Sequence, residues 1–325
     1  MKPFLSLGLT SAMPSEWLDW SFRRCEALGF QGLWIGEDIG RPGEIFTLTG
    51  LAVLSTAGIP VGIGLTSPFI RNLSTLARAA YSLHEASKGR FRLGLGVGGK
   101  KDLESLGVKV DKPLKAMREA LTLLRSLWKG ESLTFQSEFF QFKNYKAKFK
   151  AEIPVFLGAR GEKMLRLAGE EADGALVSGP RGYLEKALAF IREGLNRRLT
   201  QPKKFVKVAW LPTILTTSEE DLTLARKVAA TILLDTPSKV FAYSKMDLGK
   251  VEEVKRVAAS SLREAASLVD RETLEALTVY GDSEEVCSKL RELAALGFDE
   301  VVFGPPYGKN WEKAVEEVAK AWLRK

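Results

Sequence analysis

The chain has 325 residues, of which 45% are hydrophobic and 27% charged, with a net charge of +8. That mixture excludes a disordered chain and supplies enough apolar side chains for one large α/β barrel or two ordinary domains. Basic residues stand beside acidic ones, as in Glu252-Glu253 ahead of Lys255-Arg256, and no long basic run occurs. The charge therefore speaks for a solvated surface or for steering a small anionic ligand, and against nucleic acid as a partner.

In chain order, the apolar run at 4–9 is too short for a secretory signal and passes straight into an amphipathic helix at 16–28. It reads as a first strand, with Ser15 expected to cap the helix. Cys25 lies in that helix. With Cys287 it makes no disulfide framework and no metal spacing, which fits a reducing cytoplasm and no bound metal. The second strand, 32–35, ends in Glu37-Asp38, a carboxylate pair suited to acid–base work or, more plainly, to capping a loop. The third, 61–65, runs into Thr66, Ser67, Pro68 and Arg71, and the fourth, 91–97, into Gly98, Gly99 and Lys100. Between them His84, the one histidine, sits mid-helix as a surface or packing residue.

A stretch at 133–142 alternates like a hairpin around Ser137-Glu138, within an insertion of about 131–150. The fifth strand, 155–157, runs into Gly158, Ala159, Arg160 and Gly161, and the sixth, 175–177, ends at Ser178. Strands at 206–211 and 300–303 complete a set of eight. Ser218 with Asp221 is the expected cap of one late helix, and Ser283 opens another. A helical insertion at 236–278 has the size of a lid or a subunit contact. Eight short strands alternating with helices argue for a parallel (β/α)8 TIM barrel, one domain over 1–325. A doubly wound sheet is the competing architecture, but no glycine fingerprint is followed by an acidic residue at dinucleotide-binding distance. No apolar stretch is long enough to cross a membrane.

The strand ends carry the chemistry. Gly64, Leu65, Thr66 and Ser67, then Gly96, Gly98, Gly99 and Lys100, then Gly158, Ala159, Arg160 and Gly161, and finally Ser178 all fall where a barrel presents its mouth. Glycine backbone there allows close approach of a flat ligand. Arg71, Lys100, Lys101, Arg160, Lys163 and Arg181 offer positive charge to an anionic one. The plainer alternatives are glycines that thin strands for packing and cations that are merely solvated.

The segments 66–71, 89–100, 158–174, 281–286 and 304–308 together resemble the bacterial luciferase-like superfamily, and within it the F420-dependent methylenetetrahydromethanopterin reductase branch. The resemblance implies coenzyme F420, a 5-deazaflavin, in the barrel mouth, held by the glycine, hydroxyl and basic positions just named. It implies a cis peptide at Gly64–Leu65 behind the ring. It also implies hydride transfer to a pterin-like substrate, methylene to methyl, with Glu37 and Asp38 as the catalytic candidates, in a cytoplasmic homodimer or homotetramer. Helices at 52–57 and 73–86 suit either the barrel exterior or a subunit contact.

The chain also departs from the pattern. Relatives usually carry Asp-His where this sequence has Glu37-Asp38, which argues against the sugar-phosphate and alcohol dehydrogenase branches. The reductases place a glutamate in the first strand, where this chain has Ser6, Leu7 and Gly8. Two other readings stand beside the deazaflavin one: an FMN-dependent monooxygenase or reductase on the same barrel, and a non-enzymatic member that has lost its cofactor.

Overall fold

The computed structural model describes residues 3–199, 204–244 and 246–324, so both ends of the expected domain and one position of the helical insertion lie outside the described residues. Strand and helix alternate through β1 (Phe4–Thr10), α1 (Ser15–Arg24), β2 (Gly32–Gly36), α2 (Ile45–Ser55), β3 (Val61–Thr66), α3 (Leu73–Ala86) and β4 (Phe91–Leu95). The helices form because their apolar residues recur at three- and four-residue intervals, as Leu18, Phe22 and Cys25 do on the buried side of α1. Helices α4 (Lys100–Ser105) and α5 (Pro113–Lys129) precede the hairpin β5 (Ser132–Gln136) and β6 (Gln141–Lys146), which turns at the expected Ser137-Glu138.

The alternation resumes with β7 (Val155–Gly158), α6 (Glu162–Glu171), β8 (Gly174–Val177), α7 (Arg181–Asn196), β9 (Val206–Leu215) and α8 (Glu219–Asp235). The insertion is helical as expected: α9 (Ser238–Phe241), α10 (Leu248–Ala258), α11 (Leu262–Leu268) and α12 (Arg271–Leu277). It packs on α8 through its own apolar cluster, with Phe241, Val254 and Leu274 at its centre. Then come β10 (Val279–Gly281), α13 (Ser283–Ala295), β11 (Glu300–Tyr307) and α14 (Trp311–Leu323). The three-residue β10, on the edge of β9, is too short to leave a readable alternation.

Eight strands pair in parallel in the order β1, β2, β3, β4, β7, β8, β9, β11, and β11 closes on β1. The result is a closed TIM barrel, with every expected strand present. Strand β4 stops at Leu95, short of the expected 97, where the chain turns into the glycine loop; Gly98 there has φ +99°, a conformation glycine adopts freely.

The barrel interior is layered. At the base, Glu300 binds Arg92 at 2.7 Å, accepts from Trp34 Nε1 at 2.6 Å, and accepts from the Ser6 hydroxyl. Above it Trp34, Phe156, Leu176, Val208 and Val302 form a dry layer separate from the main core outside the barrel. Among the described residues no helix is long and apolar enough to cross a membrane, and no cluster of His, Cys, Asp and Glu is arranged to hold a metal.

The caps correct one expectation. Ser15 is the first residue of α1, and its cap position is Pro14, which makes no side-chain hydrogen bond. Ser283 opens α13 as expected, with Asp282 as its cap and Glu285 completing a reciprocal capping box. Ser218 does cap α8, accepting from Asp221 N at 3.2 Å.

In the insertion Asp270 caps α12. The Thr273 amide and then the Lys250 ammonium at 2.9 Å hold its carboxyl down from 3.8 to about 2. A carboxylate with a depressed folded pKa stabilises the fold above its unfolded value and loses that contribution as pH falls. Thermal melts of the wild type should therefore drop between pH 3.8 and about 2. Asp270→Asn should flatten that part of the curve; an unchanged slope would assign it to other groups.

Candidate active site

The mouth lies at the C-terminal strand ends, and its floor is made by Trp210 and Leu65, both partly exposed above the dry layer. Glycines shape it. A Cβ at Gly8 would stand 2.8 Å from Trp210 Cζ2, and one at Gly64 would stand 3.0 Å from Trp210 Cζ3. A Cβ at Gly96 would stand 3.0 Å from Leu65 Cδ1, and one at Gly158 would overlap that methyl. Gly94 likewise gives room to Leu65. Several of these glycines are thus packing glycines that hold Leu65 and Trp210 in place. The peptide between Gly64 and Leu65 is cis, as expected, and the Pro305–Pro306 peptide is cis as well.

Beside the floor, the ends of β2 and β3 are tied together. Glu37 accepts from Thr66 Oγ1 at 2.5 Å and from both terminal nitrogens of Arg71; the same guanidinium reaches Glu44 at 3.1 Å and Thr66 Oγ1 at 3.0 Å. Burial disfavours the Arg71 charge, yet Glu37 and Glu44 more than offset this and raise its pKa. Arg71 is therefore spoken for by carboxylates, contrary to its expected role toward an anionic tail.

The hydroxyls of Thr66 and Ser67 are committed inward as well. Ser67 Oγ donates to Val97 O at 2.8 Å and accepts from Phe69 N at 3.2 Å. Asp38 is held more lightly: its Oδ2 accepts from Ala12 N at 3.3 Å, and Oδ1 has no protein partner among the described residues.

The opposite rim is basic and open. Gly161 is the N-cap of α6 without a side-chain cap, and a Cβ there would meet nothing within 4 Å. The first amides of α6 thus face open space, where a helix N-terminus favours an anion. Arg160 beside them makes one hydrogen bond, to Asp235 O at 3.3 Å, and no ion pair among the described residues. Ala159 and Ser178 lie half-buried between these rims, Gly98 and Gly99 in the exposed β4 loop. Lys100 points to solvent from the start of α4, near Glu104 at 3.7 Å, and Arg181 is paired with Glu292 at 2.8 Å. Of the expected basic group, Arg160, Lys101 and Lys163 are left without an ion pair among the described residues, and Arg160 and Lys163 stand at the start of α6. His84 stands in the last turn of α3, away from the strand ends that form the mouth.

Three residues of this region carried no assignment from sequence. Trp210 was readable as inward-facing from the alternation Val206, Val208, Trp210. Glu300 lay hidden as the first residue of a strand. Tyr183, at the start of α7, is buried with a hydroxyl that finds no partner among the described residues, and burial pushes its pKa up.

Comparison with known proteins agrees with this geometry. The luciferase-like monooxygenase family model matches residues 15–300. The chain is 30% identical over 317 residues to the 5,10-methylenetetrahydromethanopterin reductase of Archaeoglobus fulgidus, covering 95% of each chain. It is also 30% identical over 301 residues to that of Methanolobus tindarius, covering 91% of this chain and 92% of the relative. The solved coenzyme F420-dependent tetrahydromethanopterin reductase of Methanopyrus kandleri superposes with a TM-score of 0.88 at 24% identity, over 100% of this chain and 99% of that one. The chain belongs to the luciferase-like monooxygenase family.

Proposed function

We propose that this chain is a coenzyme F420-dependent oxidoreductase that reduces a methylene-tetrahydromethanopterin, or a related pterin, to its methyl form. The observation that carries the reading is the open, uncapped N-terminus of α6 with Arg160 beside it, set against a flat floor of Trp210 and Leu65. A flat ring with an anionic tail matches that pairing. The fit is local as well: Leu65 and Trp210, seated in the space the glycines leave, form the floor, and Gly161 leaves open space at the rim.

When bound, F420 supplies the hydride, so the protein's task is to hold two carbons in contact and keep water out. The dry layer beneath Trp210 excludes water from below, and the Glu37–Arg71–Thr66 network fixes the loops on one side. Because Glu37 is bound on both oxygens, any proton duty falls to Asp38 through its free Oδ1. A mouth without an imidazole suits reduction of a nitrogen-activated methylene carbon better than that of a carbonyl, whose alkoxide requires a proton. A rim cleft lined by Phe69, Asn72, Lys109 and Phe139 offers room for the far end of such a substrate. Parallel titration with F420 and FMN tests the reading.

The same proposal includes a homodimer through α2. That helix is rich in apolar residues, and Leu51 and Leu54, one turn apart, stand 53% and 77% exposed on its outer face beside Thr47 and Ser55. Neighbouring exposed leucines of this kind favour an interface. Leu54→Glu should convert a dimer to a monomer in sedimentation experiments, and a wild type that already sediments as a monomer would contradict the assignment.

A further inference from the structure

We propose that Trp210 is a positioning residue: the surface on which the ring in the mouth settles, and a hydrogen-bond donor to an acceptor atom of that ring or of its substrate. The inference rests on the reading of the mouth as a ring site and adds to it a residue that fixes the ring's plane. The indole starts from β9 and crosses the throat of the barrel. Its Cδ1 and Nε1 lie against Gly304 of β11, its Cζ2 and Cε2 against Gly8 of β1, and its Cζ3 against Gly64 of β3. Three strands thus lack a side chain where the indole passes, and a methyl at any of the three would crowd it.

Packing alone does not account for this arrangement. An inert plug for the throat needs only an aliphatic side chain, and Leu176 and Val302 already seal the layer below. Tryptophan brings a polar edge, which normally finds an acceptor when buried. Trp34 Nε1 donates to Glu300 at 2.6 Å and Trp128 Nε1 to Ala77 O at 3.1 Å. Trp210 Nε1 has no acceptor among the described residues, and its residue is partly exposed where Trp34 is 1% exposed. A flat apolar face and an unused N–H therefore meet at the opening where a flat ligand enters.

The arrangement also explains the first strand. A side chain at position 8 would point into the indole, with its Cβ 2.6 Å from Val302 Cγ1 and 2.8 Å from Trp210 Cζ2. Trp210 thus occupies the space a longer side chain at position 8 would need, and β9 supplies the mouth's donor.

The test compares wild type, Trp210→Phe and Trp210→Leu, each checked by thermal melting, in titrations with F420 and FMN. The absorption band of the bound ring and the indole N–H resonances are recorded alongside. Loss of one resonance in Trp210→Phe identifies the Trp210 N–H, which should shift when the wild type binds the ring. Trp210→Phe keeps a face and loses one hydrogen bond, so its affinity should fall about fivefold. Trp210→Leu loses the face too, and should bind roughly thirtyfold or more weakly with a displaced absorption band. A plug would change melting alone; unchanged affinity, band and resonance would overturn the proposal while leaving the functional reading intact. Should Trp210→Leu fail to fold, Trp210→Phe and the wild-type resonance decide alone. A wild type that binds neither ring would bring down the functional reading and this proposal together.

Discussion

Glu300→Ala should destabilise the barrel by about 3 kcal/mol, the largest effect of any single substitution considered, because it strands a half-buried guanidinium and leaves the buried Trp34 N–H without its acceptor. Glu300 is 1% exposed and stands at the base of the barrel. It gathers the Arg92 guanidinium, the Trp34 indole N–H and the Ser6 hydroxyl on its two oxygens. Arg92 has aromatic rings around it, its guanidinium carbon 5.9 Å from the Phe4 ring, 5.8 Å from Trp34 and 5.7 Å from Phe156. These offer a partial, not an equivalent, replacement for a carboxylate. Thermal melting reads the effect, which for a chain of this size amounts to roughly 4–7 °C. Replacing both members, Arg92→Met with Glu300→Met, should lose less than Glu300→Ala alone, since no orphan charge remains. A single variant as stable as the wild type would show that water reaches the base of the barrel.

Gly158→Ala is the second. The added methyl would overlap Leu65 Cδ1, and Leu65 is already confined by Gly94 and Gly96. Overpacking of this kind costs about 1–3 kcal/mol. Here the side chain can escape only toward the mouth, so ring binding should fall roughly tenfold or more, beyond what stability alone would cause. Leu65→Ala in the same chain removes the clash and should recover much of the binding, an interaction energy that a double-mutant cycle measures directly. Additive losses would mean that the two positions do not share the space the structure gives them.

These two sites show what the sequence makes legible and what it hides. The eight barrel strands, the hairpin turning at Ser137-Glu138 and the helical insertion were readable because alternation and helical spacing are local properties. The clustering of Gly64, Gly96, Gly158 and Gly161 at one rim was readable because a parallel barrel sends every strand's C-terminal end to the same side. Pairing was not. Arg71 looked like a free cation, yet Glu37, thirty-four positions away in sequence, claims it. Glu300 and Arg92 meet across 208 positions, and only closure of β11 onto β1 brings such partners together. The cap fell one residue off at Ser15 because the neighbouring Pro14 took the cap position. The absent first-strand carboxylate was legible as an absence; that position 8 has no room for a side chain beside Trp210 depends on packing from another strand.

The measurement that tests the account most directly is equilibrium titration of the wild type with coenzyme F420 and, in parallel, FMN, followed by fluorescence at two ionic strengths. The account predicts that F420 binds more tightly than FMN and that the preference narrows as salt screens the rim around Arg160. Tighter binding of FMN, or binding of neither ring, would contradict it.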